Sequence, residues 1–479
     1  LRGPQGSLFG SASMGGAVNY VANVADPSDF ASRVETTIGK TRGADVGYTA
    51  KAMLSAPLVQ DKLAVRGVFS YRSDPGYLDN EGIGRDDSSD ITIAGGRLSA
   101  VWAATAGTQL SWLSLYQKTD ADDAPYRNPA VGELARSTAI IEPNETDVQI
   151  HSLRLDQDVS FGTLTALGAY HEKTQDFVFD FTPFRIFYNA DLGLNLTTPL
   201  YIGSGGESKG ESIELRLASG ESDSFEWLVG AMYFRSDKDL YEQIGAQGAA
   251  AAFDASPLFG PGSGATIAPG GEIFNAFYST VEGKESAVFG EASWHFADRW
   301  TLTAGGRVYK NEVESTTTQV GFSTYPGDPI VTATADEEDG FSPKLSLSYR
   351  PGDDFMVYGL YSEGFRFGTP NIQGLSTFPI PAGSKSDSLK NYEIGVRTNW
   401  LDDALLLDAT VFYVDWKDIQ LRLQTPDFFN YAANGGAAEI KGIETSITLR
   451  PMERFDWQSS VTYMEARLSE PLFILFGGT

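Results

Sequence analysis

Apolar and polar positions alternate with a period of two along most of this chain. Between Ser212 and Ala218, Ile213, Leu215 and Leu217 fall on one parity and Ser212, Glu214 and Arg216 on the other. Tyr392, Ile394, Val396 and Trp400 alternate with Glu393, Gly395, Arg397 and Asn399. Trp300, Leu302, Ala304 and Val308 alternate with Thr301, Thr303, Gly305 and Arg307, and Ile443, Ile447 and Leu449 with Glu444, Ser446, Thr448 and Arg450. Successive strand side chains point to opposite faces, so these runs predict strands with one oily and one wet face. Convincing amphipathic helices are almost absent. The pattern places strands at 33–41, 45–56, 61–73, 91–104, 107–118, 146–160, 162–178, 207–218, 225–239, 281–297, 299–314, 340–350, 353–366, 389–401, 404–421, 428–450 and 454–468.

The gaps between these strands alternate in length. Short polar turns such as "VQDK", "TAG", "FADR" and "WLDD" take turns with long Gly/Pro/Asp-rich loops at 74–90, 119–145, 179–206, 240–280, 315–339, 367–388 and 422–427. Only the link at 41–44 is short where a long one is due. A soluble sandwich has no reason to sort its loops this way, whereas a membrane barrel has one rim of tight turns and one of long loops. Closure removes free edges and satisfies the backbone in lipid. The predicted class is therefore all-β: a transmembrane antiparallel β-barrel with about seventeen strands present. Aromatics near strand ends, among them Trp112, Tyr170, Trp227, Trp294, Trp300, Trp400 and Tyr463, suit the girdles at the two interfaces. The competing reading is that they are core residues of a soluble β protein. Single-chain bacterial barrels have even strand counts, so strands are expected beyond Thr479.

Composition narrows the partners. The 479 residues hold 36 Lys+Arg against 63 Asp+Glu, a formal charge of −27. Nucleic acid needs a basic footprint, so it is not an expected partner. There is no Cys, which excludes disulfides and thiolate metal sites. No apolar run approaches ~18 residues, so no spanning helix is predicted. The sequence opens inside a motif without an initiator Met, and it is read as a fragment.

That opening motif, "LRGPQGSLFGSASMGGAVNYV", is rich in glycine and leads into a strand. A phosphate-binding loop would need a Lys after its last glycine and a helix to follow, and neither is present. What remains is a backbone role, with glycines permitting close approach and positive φ. The run resembles the end of the plug domain of TonB-dependent outer-membrane receptors. Four later segments resemble that family's barrel motifs, in the same order: "YGLYSEGFRFGTPN" (358–371), "KNYEIGVRTNW" (390–400), "ATVFYVDWKDIQ" (409–420) and "NGGAAEIKGIETSI" (434–447). The resemblance implies a plug end at 1–31 and an incomplete barrel at 32–479, five strands short of the family's twenty-two. It implies a bacterial outer-membrane location and active uptake of a scarce small-molecule ligand, most naturally a ferric siderophore. TonB, acting through a segment that precedes this sequence, and the membrane lipid are the other implied partners. A monomer without cofactor is expected. A receptor for a carbohydrate, cobalamin or another nutrient is the alternative, and a passive porin or barrel-anchored adhesin is the rival from another class.

The plug motif comprises Arg2, Gly3, Pro4, Gly6, Gly10, Gly15 and Gly16. By resemblance, Arg2 pairs with barrel-wall carboxylates that seat the plug. Glu393 faces the lumen by parity and is the first candidate. Glu363 is the second, its face left open because its strand is apolar on both parities. Within the loop at 177–201, Phe181, Phe184, Phe187 and Tyr188 surround Arg185, a set suited to stacking on an aromatic anionic chelate; loop packing is the alternative. "DADD" (Asp120, Asp122, Asp123) and "DEED" (Asp336 to Asp339) could offer oxygen ligands but match no calcium loop, and they read as solvated charge. His151, His171 and His295 are scattered and form no metal motif. "GESKG" matches a nucleophile elbow around Ser208, but the surrounding pattern is not strand-turn-helix, so no enzyme is expected.

Overall fold

The computed structural model describes residues 3–371, 378–401, 404–426, 430–452 and 454–470. Seventeen long strands run through them: β1 (Ala31–Lys40), β2 (Val46–Val59), β3 (Leu63–Asp74), β4 (Ile91–Thr105), β5 (Thr108–Ala121), β6 (Asn144–Val159), β7 (Gly162–Asp180), β8 (Leu200–Ser219), β9 (Phe225–Ala246), β10 (Ile273–Phe296), β11 (Trp300–Gly321), β12 (Ile330–Gly352), β13 (Phe355–Arg366), β14 (Asp387–Trp400), β15 (Leu405–Lys417), β16 (Ala437–Met452) and β17 (Phe455–Leu468). Each pairs antiparallel with its neighbour in sequence, so the sheet is one 17-stranded meander. Among the described residues no ladder joins β1 to β17, and the sheet is open there. Both edge strands are exposed along almost their whole length.

Register lines up the parities from strand to strand. Leu215 faces Ala231, Ala231 faces Val288, Val288 faces Val308 and Val308 faces Phe341, one apolar row across five strands. The opposite parity carries Phe289, Arg307 and Ser342 in a row of its own. Val288, Val308, Phe341 and Ile394 are each more than half exposed. An apolar band of that extent is a surface for hydrocarbon, not for water.

Several strands run well past this band. The segments predicted as loops at 200–206, 240–246, 273–280, 315–321 and 330–339 are strand. Where these extensions join the predicted strands, the outward parity turns charged: Arg235 and Asp237 on β9, Glu282 and Lys284 on β10, Lys310 and Glu312 on β11. Pairs such as Lys284–Glu282 at 2.6 Å and Lys310–Glu337 at 2.9 Å lie there, half-exposed. Such pairs contribute about 0–1 kcal/mol each, so they mark where lipid ends more than they hold the wall. The predicted 404–421 and 428–450 strands also differ: a separate hairpin, Gln420–Gln424 with Asn430–Asn434, sits in the loop between β15 and β16.

On the long-loop rim, the connections fold into two small cores. The first is apolar. Helices α2 (Arg185–Asp191), α3 (Ala249–Ala255) and α4 (Ser263–Ile267), with Leu196 from the link after α2, bring Tyr188, Phe253 and Ile267 against Phe274. The second is ionic. Arg136 is fully buried, 3.1 Å from Asp123 and bonded to Glu142, while Asn80 donates to Asp123 at 3.1 Å. Asp123 is thus a structural anchor, correcting its reading as solvated charge. Tyr126 donates to Glu142 at 2.7 Å and lies under the Arg136 guanidinium. Desolvation, then that bond to Glu142, pushes the Tyr126 phenol up to about 12.

Two outcomes test this fold. In the protein, Leu345→Arg places a cation in the apolar band and is expected to cost about 2–4 kcal/mol in unfolding from lipid vesicles, while inward Ser346→Arg costs far less. Equal costs would contradict the assignment of faces. The second concerns pH. The folded pKa of Tyr126 exceeds that of a free phenol, near 10, so its contribution is complete below the free value. It is lost as pH climbs through about 12. Tyr126→Phe should remove that component from a pH series of loop proteolysis at 122–143, and an unchanged profile would contradict it.

Candidate functional site

The N-terminal segment lies against the inner wall of the sheet. A single helical turn, α1 (Gly6–Phe9), is closed by the Gln5 amide donating to the Ser13 carbonyl at 2.9 Å. The Ala12 amide donates to the Phe365 carbonyl at 2.8 Å and ties the segment to β13. Approach is close enough to require glycine. A Cβ on Gly6 would stand 2.7 Å from Ser342 Oγ and 2.8 Å from the Glu363 carbonyl oxygen, both inside contact distance. At Gly10, φ is +77°, and a Cβ would meet the Arg307 guanidinium at 3.1 Å. Gly364 of the wall packs in turn on Pro4 and Met14. Gly3 abuts Glu393, whereas Gly15 has open space around it and Gly16 takes a φ of +149°.

Glu393 faces inward, as its parity predicted, and accepts a hydrogen bond from Asn391 Nδ2 at 2.7 Å. It borders a lumen cavity of about 1050 Å³ that Gly3, Pro4, Met14 and Gly15 also line. Wall pairs Lys344–Glu291 at 2.7 Å and Arg397–Asp408 at 3.1 Å lie on the same cavity. Arg2 lies outside the described residues, so its expected partner is not seen. Glu363 is on the other parity. Tyr361, beside it on the outward face, donates to its carboxylate. Its side chain therefore turns away from the segment, and only its carbonyl reaches Gly6, which corrects its candidacy as a plug partner.

The aromatic loop is mostly spent on its own packing. Phe181 stacks on Phe184 at 4.3 Å, and Tyr188 meets Phe274 edge-on at 5.4 Å within the apolar rim core. Arg185 donates to the carbonyls of Thr197 and Thr198 at 2.8 and 3.2 Å. Burial pushes the Tyr188 phenol up to about 12. Phe184 and Phe187 keep exposed faces. Below them, on the inner wall of β7–β10, a hollow of about 340 Å³ is lined by Lys173, Phe177, Ser208, Glu242 and Phe277 among others.

Ser208 lies inside β8, with strand on both sides, so the elbow setting is missing. Asp122 pairs with Arg85 at 3.0 Å, Glu337 with Lys310, and Glu338 accepts from Ser386. Among the described residues no group of three or more His, Asp or Glu side chains is placed to hold a metal ion. His171 stacks on Phe234 inside the wall and His151 on Tyr170 outside it.

The residue missed in reading the sequence is Arg307. Its inward parity was visible there, but nothing marked it as the floor beneath Gly10. It pairs with Glu285 at 2.6 Å, also inward, on the neighbouring strand.

The profile of the family described as "TonB dependent receptor-like, beta-barrel" matches residues 69–474. The pesticin receptor of Yersinia enterocolitica is 26% identical over 95% of this chain and 61% of its own length. The chain thus spans about three fifths of that relative. The ferric yersiniabactin uptake receptor FyuA of Yersinia pestis superposes with a TM-score of 0.77 at 18% identity, over 98% of this chain and 66% of that one. The copper transporter OprC superposes with a TM-score of 0.70 at 14% identity, over 98% and 66%. With its barrel profile covering most of the sequence and its strands in the family's arrangement, the chain belongs to the TonB-dependent receptors, β-barrel proteins of the bacterial outer membrane.

Proposed function

We propose that the protein takes up a scarce ligand, a ferric siderophore, through the outer membrane, and that residues up to 31 are the end of a plug in its lumen. The observation that carries this reading is the seating of Gly3–Gly16 on the inner wall. A passive pore has no use for a segment shaped, glycine by glycine, to lie against its own bore. The seat is made for removal as well as for fit. Between described residues, Ala12 supplies its one backbone hydrogen bond to the wall, and close contact at Gly6 and Gly10 accompanies it. A force of the kind TonB transmits could lift it without unzipping a strand.

Iron is favoured over other nutrients by the relatives. FyuA is a ferric yersiniabactin uptake receptor, and Fiu of E. coli is a ferric-catecholate import receptor. Capture would begin on the exposed rings of Phe184 and Phe187 and continue in the inner hollow beside Lys173 and Phe177. A flat aromatic chelate with negative charge suits rings beside a lysine. The family consists of transport receptors, and this reading involves no covalent step.

Two measurements test the proposal in the full-length receptor. Binding to a panel of ferric chelates, the same chelates without iron, and vitamin B12 should show iron-dependent affinity. Uptake of the bound chelate should stop in cells lacking TonB. Preference for an iron-free nutrient would sink the siderophore reading, and TonB-independent uptake would sink active transport. The second concerns the seat. Glu393→Lys should speed hydrogen exchange of the amides at 3–14 by roughly tenfold, equivalent to about 1.4 kcal/mol. Exchange as slow as in the native protein would remove Glu393 from the seat.

A further inference from the structure

Arg307 has fewer hydrogen bonds than a guanidinium demands. It carries five N–H donors and can never shed its charge. Its Nη2 is used, donating to Glu285 at 2.6 Å and lying 2.8 Å from Met232 Sδ. Its Nε and Nη1 have no partner among the described residues, and the side chain is 1% exposed. The Phe289 ring, 5.6 Å away, closes one side. Gly10 of the seated segment closes another, and no hydrogen bond runs from Arg307 to that segment among the described residues.

The cover therefore has an unfavourable side. While the segment is down, two guanidinium nitrogens stay dry and unbonded, which opposes seating. Once it lifts, lumen water can reach both, and the Arg307–Glu285 pair becomes a wet wall pair like its neighbours. We propose that Arg307 is a positioning residue that biases the plug toward release, lowering the work of pulling the segment from the wall. Close packing at Gly6 and Gly10 and the Ala12 bond hold the segment down, and Arg307 works against them. This rests on the plug reading above.

The direction of the effect separates this role from ordinary wall support. Loss of a supporting residue loosens what it supports, whereas loss of Arg307 should tighten the segment. The test uses the full-length receptor in lipid vesicles, comparing native protein, Arg307→Met, and Arg307→Met with Glu285→Gln, the last so that no bare carboxylate is left behind. Hydrogen exchange of the amides at 6–12 should slow by roughly tenfold in the double variant, with the wall strands unchanged. Gly10→Ala should speed exchange, and less so when Arg307 is Met, because part of its effect is the clash with the guanidinium. Unchanged or faster exchange at 6–12 in the double variant would overturn the proposal. Leak of a large solute through the same vesicles reports on the plug separately. If 6–12 tighten while Gly10→Ala opens no leak, Arg307 retains its role and the plug reading falls.

Discussion

A polypeptide that crosses hydrocarbon must satisfy every backbone amide within itself, and this fold depends on that constraint. Between β1 and β17 the ladder meets it strand by strand, and only the outer edges of those two strands have no neighbour among the described residues. Once the ladder is fixed, the two faces of the sheet meet different solvents, and the period of two becomes a partition. Leu215, Val288, Val308 and Phe341 go to lipid, and Glu285, Arg307, Ser342 and Glu393 go to the bore. Where the lipid ends the partition relaxes. Outward positions become Arg235, Lys284 and Lys310, yet the ladder continues, because the hydrogen bonding of neighbouring strands does not require an apolar face.

The bore has a different demand. Something that fills it must fit closely and still be removable. Glycine answers both requirements at Gly6 and Gly10. Without side chains, the segment comes within contact of Ser342, the Glu363 carbonyl and the Arg307 guanidinium. It gains dispersion and excludes water, yet has only one backbone bond to the wall among the described residues. Function then follows from a balance of modest contacts, which an external pull can shift.

Much of this was legible in the sequence because it follows from parity. The strand count, the alternation of short and long links, and the inward face of Glu393 all came from the period of two. The length of β8–β12 did not. In "GSGGESKGE" the outward positions are Gly and charge, so the apolar signal vanishes while the strand persists. Glu363 was ambiguous for a related reason: its strand is apolar on both parities, and only register against Tyr361 and Tyr392 settles its direction. Asp123 was misread and the packing of Tyr188 left open because the partners that bury them lie off any regular spacing or far along the chain. Arg136 is 13 residues from Asp123, and Phe274 is remote from Tyr188 in sequence. No local pattern announces a core assembled from three connections.

These 479 residues contain no Cys, so single cysteines can be placed along one strand without removing any from this part of the protein. The most direct test of the two-solvent partition is a scan of β11 from 301 to 308 in the full-length receptor in vesicles. Each cysteine is scored for reaction with a charged water-soluble thiol reagent and, once labelled, for quenching by lipid-borne nitroxide. Cysteines at 302, 304, 306 and 308 should be quenched and resist the reagent, and those at 301, 303, 305 and 307 should behave in the opposite way wherever the seated segment leaves them open. Absence of alternation, or alternation of the opposite parity, would contradict the account.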